Sequence, residues 1–351
     1  MIRQFKIGYL FFTQFVLSYL YNHKKEVFME KKWIMIITAS VLIVVVTITL
    51  SLVFTRYQWD PKDTEELYRE NVAKVGYENT FESALPQTGL YDLINAHFTS
   101  PLEEGKTVKK AIIIGYDGCR ADILTEMEEG KSGIKSLLNE GGSLHLSYCG
   151  GVNYPEKNTQ DTSTAPGWCS ILTGEWADVH GVNENYVTKS MATKTLLTSL
   201  VENGVADSSS FITKWKGHFT KKKATYLEEK EYAKNNNLAV NYLLAENDED
   251  SLRLANEELR KENCSDFLFV IYEPTDATGH SNGFSNNNPK YQEAFKTADQ
   301  YAYTTIETIK NRATYLEEDW LIIITSDHGG KKVDHGKASF QERYTFQAVL
   351  S

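Results

Sequence analysis

The chain has 351 residues and a formal charge of −10, from 37 basic and 47 acidic residues. This length suits one large domain or two small ones. The acidic balance excludes general affinity for nucleic-acid polymers, which requires a basic surface. It leaves a small anionic substrate open, because bound metal ions can dominate the charge of a site.

An uncharged apolar run occupies residues 33–54 and has about the length that a helix needs to cross a bilayer. Lys31 and Lys32 precede this run. The positive-inside rule therefore predicts a single-pass protein of the cell membrane with a cytoplasmic N-terminus and the rest of the chain on the extracytoplasmic side. A cleaved signal peptide is the alternative, but the run is long for a signal core and no small-x-small cleavage site follows it.

The remaining chain divides into three regions. Residues 1–28 are interpreted as an upstream extension, because Met29 begins a segment that resembles an ordinary protein start. Residues 55–106 are mixed and polar, and we interpret them as a stalk with a short helix near residues 64–74. Residues 107–351 are expected to form the main folded domain.

Apolar strands alternate with amphipathic helices through residues 107–351. The predicted strands are Val108–Gly115, Ser143–Tyr148, Ser209–Thr213, Asp266–Tyr272 and Trp320–Ile324. The predicted helices cover residues 123–139, a segment beginning near Thr164, and residues 190–203, 248–262 and 290–311. This alternation predicts an α/β fold with a mostly parallel central sheet and helices on both faces.

Acidic and histidine side chains follow three of these strands. They are Asp117, then Asp276 and His280, then Asp327, His328 and His335. Ligands of open α/β sheets bind outside the carboxyl ends of the strands, and carboxylates with imidazoles suit a divalent metal such as zinc. Each residue alone could simply belong to a turn. The same placement three times favours a site with enough ligands for two metal ions.

Thr164 stands at the start of a predicted helix, with Pro166 in its first turn. The free amides and the dipole of a helix N-terminus favour an anion at this position. A plain helix cap is the alternative interpretation of Thr164.

The four cysteines, Cys119, Cys149, Cys169 and Cys264, form no C-x-x-C pair. A cysteine zinc site is therefore not expected. Disulfide pairing in an exported chain stays open, since sequence alone gives no connectivity.

The motifs DGCRAD, STAPGW with LTGEWADVHGV, EPTDATGH and TSDHGG with a following HG resemble those of the alkaline phosphatase superfamily. The most similar branch is the type I phosphodiesterase / nucleotide pyrophosphatase family. The resemblance spans about Lys110 to Arg343 and implies an alkaline-phosphatase-like fold.

The resemblance also implies a role for each motif residue. Two divalent ions, expected to be zinc, would be held by one set of Asp276, His280 and His335 and another of Asp117, Asp327 and His328. Thr164 would contact the second metal and act as the nucleophile, through a phospho-threonine intermediate. Asn185, shortly after His180-Gly181, would hold a phosphoryl oxygen; a surface-loop asparagine is the alternative.

The sequence departs from the family pattern in three places. Gly167 stands where an asparagine is usual, so the helix start is expected to differ in its turn or packing. Cys119 replaces a usual phenylalanine. His335 follows closely after His328, as in shorter bacterial members, and the chain ends soon afterwards, so a final strand is expected to be missing.

The sequence therefore predicts a membrane-anchored, two-metal phosphodiesterase that acts on a small phosphate ester. A phosphomonoesterase or a phosphoryl-group transferase on the same scaffold is the nearest alternative. A sulfatase is disfavoured, because the segment from Thr164 to Trp168 lacks the C/S-x-P-x-R signature. A metal-independent binding protein is the alternative from another class. The oligomeric state and the particular ester stay open.

Overall fold

The structure is a computed structural model that describes residues 38–46, 62–152, 160–185, 191–220 and 224–351. The chain divides into two compact units, Met1–Arg56 and Tyr57–Ser351. Each unit is described by itself.

The first unit contributes one described segment, residues 38–46, which is helical. The rest of the predicted membrane anchor at residues 33–54, and all of the predicted extension at residues 1–28, lie outside the described residues. Among the residues that the structure describes, no helix is both long enough and apolar enough to span a bilayer. The anchor therefore stays a prediction from the sequence.

The second unit is built on one eight-stranded sheet with the order β1-β3-β8-β7-β2-β6-β4-β5. The strands are β1 (Leu85–Pro86), β2 (Val108–Tyr116), β3 (Ser143–Tyr148), β4 (Ser209–Thr213), β5 (Val240–Leu244), β6 (Phe267–Tyr272), β7 (Glu318–Thr325) and β8 (Tyr344–Leu350). Strand β2 pairs in parallel with β6 and β7, and β4 pairs in parallel with β5 and β6. Of the strands in the described residues, β8 alone runs antiparallel to both of its neighbours, β3 and β7. The prediction of a mostly parallel sheet is confirmed.

Helices cover both faces of this sheet. They are α1 (Glu65–Val75), α2 (Gly89–Thr99), α3 (Gly133–Asn139), α4 (Thr164–Thr173), α5 (Ala177–His180), α6 (Leu196–Glu202), α7 (Leu227–Asn235), α8 (Asp248–Leu259), α9 (Pro274–Asn282), α10 (Pro289–Lys310) and α11 (Phe340–Arg343). Successive residues of β2 point to opposite faces, so Ile112 and Ile114 pack with α3, α8 and α10, whereas Ala111 and Ile113 pack with α2, α4 and α6. The central strands are apolar runs because both of their faces are buried.

The described residues 62–106, interpreted above as a stalk, contribute two helices and a strand to this folded unit. Tyr68 of α1 is buried in a small cluster with Leu146 of β3. Ile94 of α2 is buried in the core beneath the sheet, and β1 pairs with β3. A polar segment can pack in this way because each helix needs only one apolar stripe.

The helix predicted at residues 123–139 is broken into two pieces. A 3₁₀ turn occupies Ala121–Glu126, and α3 begins only at Gly133. Gly130 adopts a φ of 71°, which interrupts the helical backbone. Ser132 then caps α3 by accepting a hydrogen bond from the Lys135 amide. In contrast, the helix predicted at residues 290–311 agrees with α10 within one residue at each end.

The sheet also contains β8, a strand that the sequence analysis did not predict, between β3 and β7. Its apolar residues alternate with polar ones instead of forming a continuous run, so it lacks the signal of the central strands. Gln347 is nevertheless buried, because its Nε2 donates to Ser147 Oγ at 2.9 Å. An internal partner for a polar side chain cannot be identified from the strand pattern alone.

Candidate metal centre

Three adjacent strands bring the predicted ligands to one edge of the sheet. Asp117 directly follows β2, Asp327 follows β7, and Asp276 lies in the first turn of α9, just after β6. Strand β2 lies between β6 and β7, all parallel, so their carboxyl ends are neighbours. The strand pairing therefore brings together residues that are far apart in the sequence: the amide of Gly118, next to Asp117, donates to Asp327 Oδ1 at 3.2 Å.

The first ligand group consists of Asp276, His280 and His335. Asp276 and His280 are four residues apart on α9, which puts them on one face of the helix. Asp276 Oδ1 lies 3.4 Å from His280 Nε2 and 3.6 Å from His335 Nε2. His280 Nδ1 lies 2.9 Å from the Val333 carbonyl oxygen and His335 Nδ1 3.1 Å from that of Thr162. Donation from each Nδ1–H leaves the Nε2 lone pair free to bind a metal.

The second ligand group consists of Asp117, Asp327 and His328, and all three are buried. His328 Nε2 lies 3.6 Å from Asp117 Oδ1 and 3.5 Å from Asp327 Oδ2. His328 Nδ1 is 2.7 Å from the Gly329 carbonyl oxygen, which fixes the ring so that Nε2 faces the two carboxylates.

The two groups adjoin one another. The rings of His328 and His335 have centroids 4.0 Å apart. Gly118, which follows Asp117 with a φ of 64°, lies against the other group: a Cβ there would approach Asp276 Oδ1 to 2.8 Å. Glycine is needed at this position both for its backbone conformation and because a side chain would displace a ligand.

The electrostatics of the two groups favour a bound cation. Burial, and then the charge of Glu273, raises the pKa of Asp276 to about 7. Burial and the charges of neighbouring carboxylates also raise the pKa values of Asp117 and Asp327. Burial, and then His280, lowers the pKa of His335 to about 4, so this imidazole is neutral at physiological pH.

Two buried carboxylate oxygens show whether the residues fit a metal ion. Asp276 Oδ1 and Asp327 Oδ2 are buried and have no hydrogen-bond partner in the described part of the chain. An unsatisfied buried carboxylate oxygen is costly, and one occurs in each group. Neutral imidazoles beside mutually repelling carboxylates are the donor set that a divalent metal such as zinc accepts. The residues therefore fit two such ions.

Thr164 begins α4 and is buried beside the second ligand group. Its Oγ1 is 3.4 Å from Asp117 Oδ1 and 3.4 Å from His328 Nε2. Gly167, one of the departures from the family pattern, explains this close approach. A Cβ at Gly167 would lie 2.7 Å from the backbone oxygen of Asp327, so α4 could not pack there with a larger residue.

Asn185 lies at the same helix start. Its Oδ1 accepts a hydrogen bond of 2.8 Å from the Ala165 amide, next to Thr164. The segment is held by His180, whose Nδ1 accepts from the Val182 amide at 3.0 Å and whose Nε2 is 3.2 Å from Ser170 Oγ. The structure thus brings Asn185 to the predicted nucleophile.

Several residues at the site were not identified from the sequence. Trp168 Nε1 is 3.4 Å from Asp117 Oδ2, and Gln160 Nε2 donates to the Pro166 carbonyl oxygen at 2.9 Å. Lys214 directly follows β4, and Glu273 directly follows β6. Lys214 and Glu273 follow predicted strands, so their positions in the sequence could have indicated a place at the site. No sequence pattern indicates the contacts of Trp168 and Gln160.

The cysteines are not part of the centre. All four are buried free thiols. Cys119, which replaces the usual phenylalanine of the family, is packed in the core near α10, and its amide donates to Ser326 Oγ at 3.0 Å. The presence of cysteine instead of phenylalanine at position 119 therefore changes the packing of the core.

Comparison with known proteins assigns the family. Residues 111–348, more than half of the chain, match the family model described as type I phosphodiesterase / nucleotide pyrophosphatase. The chain belongs to this family. The resemblance read from the four sequence motifs is confirmed, and the phosphodiesterase family lies in the alkaline phosphatase superfamily. No curated protein sequence matches the chain closely enough to be called a relative.

Solved structures give only distant likenesses. The murine ectonucleotide pyrophosphatase / phosphodiesterase 5 is 19% identical with a TM-score of 0.47, and the match covers 63% of this chain and 57% of that one. The alkaline phosphatase of the Antarctic bacterium TAB5 is 15% identical with a TM-score of 0.43, over 69% of this chain and 91% of that one. Phosphonoacetate hydrolase from Sinorhizobium meliloti 1021 is 16% identical with a TM-score of 0.42, over 63% and 56%. The family assignment does not depend on these likenesses.

Proposed function

We propose that this phosphodiesterase-family chain hydrolyses phosphodiesters at a two-metal centre, with Thr164 as the nucleophile. One observation carries the proposal: a buried threonine hydroxyl at a helix N-terminus lies 3.4 Å from ligand-type atoms of both Asp117 and His328. Family membership supports phosphoester hydrolysis as the reaction class. The described geometry supports the roles of the particular residues.

The first ligand group would hold one divalent ion and the second ligand group the other, with zinc the expected metal. When bound, the ions supply positive charge that favours the alkoxide form of a nearby hydroxyl and offsets charge on the phosphoryl oxygens. The carboxylates of Asp117, Asp276 and Asp327 provide the negative charge to retain them.

Thr164 is oriented for attack by its own surroundings. Its hydroxyl points to Asp117 Oδ1, and its position on the first turn of α4 directs the helix dipole at an incoming anion. Attack of Oγ1 on phosphorus would form a phospho-threonine and release an alcohol or a nucleotide. Because Thr164 lies beside the second ligand group, in-line displacement would direct the departing oxygen towards the first. Water entering from that side would hydrolyse the phospho-threonine and restore Thr164.

Asn185 would hold the phosphoryl group during this reaction. Its Oδ1 is already used as the acceptor for the Ala165 amide, so Nδ2 is the atom left to donate. A donor beside the nucleophile can bind a non-bridging phosphoryl oxygen and align phosphorus with Thr164.

A phosphomonoesterase or a phosphoryl-group transferase would use the same residues, and it is the second candidate. Among the described residues, those of the centre would contact the transferred phosphoryl group, which monoesters and diesters share. A metal-independent binding protein is disfavoured by the unsatisfied oxygens of Asp276 and Asp327 among the described residues, which would remain a cost without a cation.

We also propose that the chain is anchored in the cell membrane by residues 33–54, with the catalytic unit on the extracytoplasmic side. The support is the uncharged apolar run and the two lysines before it. Membrane fractionation, followed by protease treatment of intact cells, tests this orientation. A catalytic unit that is protected from external protease would contradict it.

The experiment for the enzymatic proposal compares three chromogenic esters with the full-length protein, with and without added zinc. Bis-p-nitrophenyl phosphate reports diesterase activity, p-nitrophenyl phosphate monoesterase activity and p-nitrophenyl sulfate sulfatase activity. We expect zinc-dependent turnover with preference for the diester. Preference for the monoester would favour the second candidate, and zinc binding without turnover of any ester would contradict both.

A further inference from the structure

Glu273 joins β6 to α9 and is bound on both its backbone and its side chain. Its amide donates to Asp248 Oδ1 at 2.8 Å. Its Oε1 accepts hydrogen bonds from Thr213 Oγ1 at 3.3 Å and from the Trp215 amide at 3.1 Å. The residue is therefore fixed to the end of β4 and to the start of α8.

These contacts fix the beginning of α9, the helix that follows β6 and carries two of the metal ligands. Pro274 is the first residue of α9, and no side-chain cap closes that helix. Asp276 and His280, two of the three residues in the first ligand group, are both on α9. A shift of Glu273 would thus move both ligands together, away from His335 on its separate loop.

Lys214 completes this arrangement. Its Nζ lies 2.5 Å from Asp248 Oδ2 and 3.8 Å from Glu273 Oε2, with the side chain largely buried. One ammonium faces two carboxylates here, so the local charge is negative and does not favour a binding site for a substrate anion. The arrangement instead has the character of a structural support, in which Lys214 offsets the charges of the residues that hold α9.

We propose that Glu273 is a positioning residue for the first ligand group, acting through the hydrogen bonds that fix the start of α9. The inference rests on the proposed function, because it assumes that this group binds a metal. Residues that orient metal ligands typically change metal affinity about 10- to 100-fold when they are removed. In this role Glu273 is not a metal ligand. It affects the metal through the positions of Asp276 and His280.

The test measures zinc affinity and uses two substitutions of the same residue. Glu273→Ala removes the acceptor, whereas Glu273→Gln removes the same charge but retains an oxygen for Thr213 and Trp215. Chelator competition gives the two zinc dissociation constants, which are assigned to the groups with His280→Ala and Asp327→Ala as references. We expect Glu273→Ala to weaken the first site about 10- to 100-fold and the second less than about 3-fold. Glu273→Gln should stay within about 3-fold of the wild type at both sites.

Glu258→Ala is the matched control. Glu258 is also buried, and its Oε1 accepts one amide and one hydroxyl hydrogen bond, both from Ser265 at the opposite end of β6. This variant should leave both zinc affinities unchanged. If Glu273→Ala fails to fold, Thr213→Val removes one hydrogen bond to Glu273 without changing the charge, and it should weaken the first site alone.

Three results would overturn the positioning role. Unchanged zinc affinities in Glu273→Ala would show that α9 is held by other contacts. Equal losses in Glu273→Ala and Glu273→Gln would assign the effect to charge. Equal losses at both sites, matched by Glu258→Ala, would show general destabilisation. A wild-type protein that binds no zinc would instead overturn the proposed function, and the inference with it.

Discussion

The amino ends and the carboxyl ends of the parallel strands form two opposite sides of the sheet, called here the amino edge and the carboxyl edge. Buried acidic groups have different partners at these two edges. At the amino edge, each carboxylate has a cation: Lys109 pairs with Asp319 at 2.8 Å, Lys110 with Asp266 at 2.9 Å and Arg312 with Glu318 at 2.6 Å. At the carboxyl edge, Asp117, Asp276 and Asp327 have no lysine or arginine within ion-pair distance in the described part of the chain.

The pKa values of the carboxyl groups follow this difference. Burial tends to raise the pKa of Glu318, but hydrogen bonds from Arg312 and Trp320 prevail and lower it. Burial raises the pKa of Asp276 to about 7, and Glu273 adds to the effect. The buried carboxylates of the amino edge are therefore neutralised by the protein itself. At the carboxyl edge Lys214 pairs with Asp248 and Glu273, and in the described part of the chain Asp117, Asp276 and Asp327 have no lysine or arginine of their own. The unpaired aspartates at the carboxyl edge fit a bound cation, whereas the ion pairs at the amino edge need none.

The largest expected effect is the loss of turnover when the proposed nucleophile at the carboxyl edge is removed. Thr164→Ala should lower turnover of the diester by about 1,000-fold or more, about 4 kcal/mol in the activation barrier, because no nucleophile remains. Zinc should stay bound, since the six carboxylate and imidazole ligands are intact. Steady-state kinetics and metal analysis of the same preparation check both statements.

Thr173→Ala is the control for this variant, because Thr173 is buried at the other end of the same helix and donates to the Cys169 carbonyl oxygen. It should retain turnover. Turnover at the wild-type rate in Thr164→Ala would remove Thr164 from the mechanism.

The second prediction is that the two ligand groups at the carboxyl edge bind zinc independently. His335→Ala should weaken the first site by more than the 10- to 100-fold that loss of an outer hydrogen-bond partner causes, and it should spare the second. Chelator competition with zinc measures both. His145→Ala, which removes a half-buried imidazole of β3, is the control. Full occupancy of both sites in His335→Ala would show that the ligand assignment is wrong.

The sequence predicted the parts of the centre that carry a local signal. Asp117, Asp276 and Asp327 each come within four residues of the end of an apolar strand, so their types and positions were visible together. Glu273 and Lys214 have strand-end positions as well, but their role depends on the lateral pairing of β4 with β6, which no local pattern specifies. The order of strands in a parallel sheet is set by long-range packing.

The same limit applies to the fold. The strands buried on both faces were predicted, because continuous apolar runs identify them. Strand β8 was not, since Gln347 depends on a partner 200 residues away in sequence. Helix α3 was predicted too long, because the backbone conformation of Gly130 is decided by the turn in which it lies. Gly167 was noted as a departure, and only the contact between α4 and Asp327 gives its reason.

The third prediction concerns pH and the metal-free protein. The pKa of Asp276 is raised to about 7 in the folded state, above its ordinary value near 4 in the unfolded chain. The folded state therefore binds the extra proton, and this stabilisation is present below about pH 4 and is lost as the pH rises through 7. Asp276→Asn should consequently gain stability over the wild type across this range, by about 4 kcal/mol at most.

Urea unfolding in the presence of a chelator, from about pH 3 to about pH 7.5, measures this difference. Glu318→Gln provides the contrast at the amino edge, because its lowered pKa gives the opposite sign. The wild type should lose stability relative to Glu318→Gln as the pH falls below about 4.5. A stability difference between Asp276→Asn and the wild type that is independent of pH would contradict the proposed electrostatics of the carboxyl edge.

The smallest expected effect tests the amino edge. Lys110→Met leaves Asp266 buried without its cation, and it should lower the free energy of unfolding by about 3 kcal/mol while turnover and zinc content stay unchanged. The double variant Lys110→Met with Asp266→Asn removes the unpaired charge as well, and the asparagine oxygen can still accept the Asp207 amide hydrogen bond. It should therefore be more stable than Lys110→Met alone, because a lone buried charge costs more than the loss of a whole ion pair. If the double variant were instead less stable than the single one, the pair would contribute more than the neutralisation of charge, and the amino edge would not be the simple counterpart of the metal-binding edge.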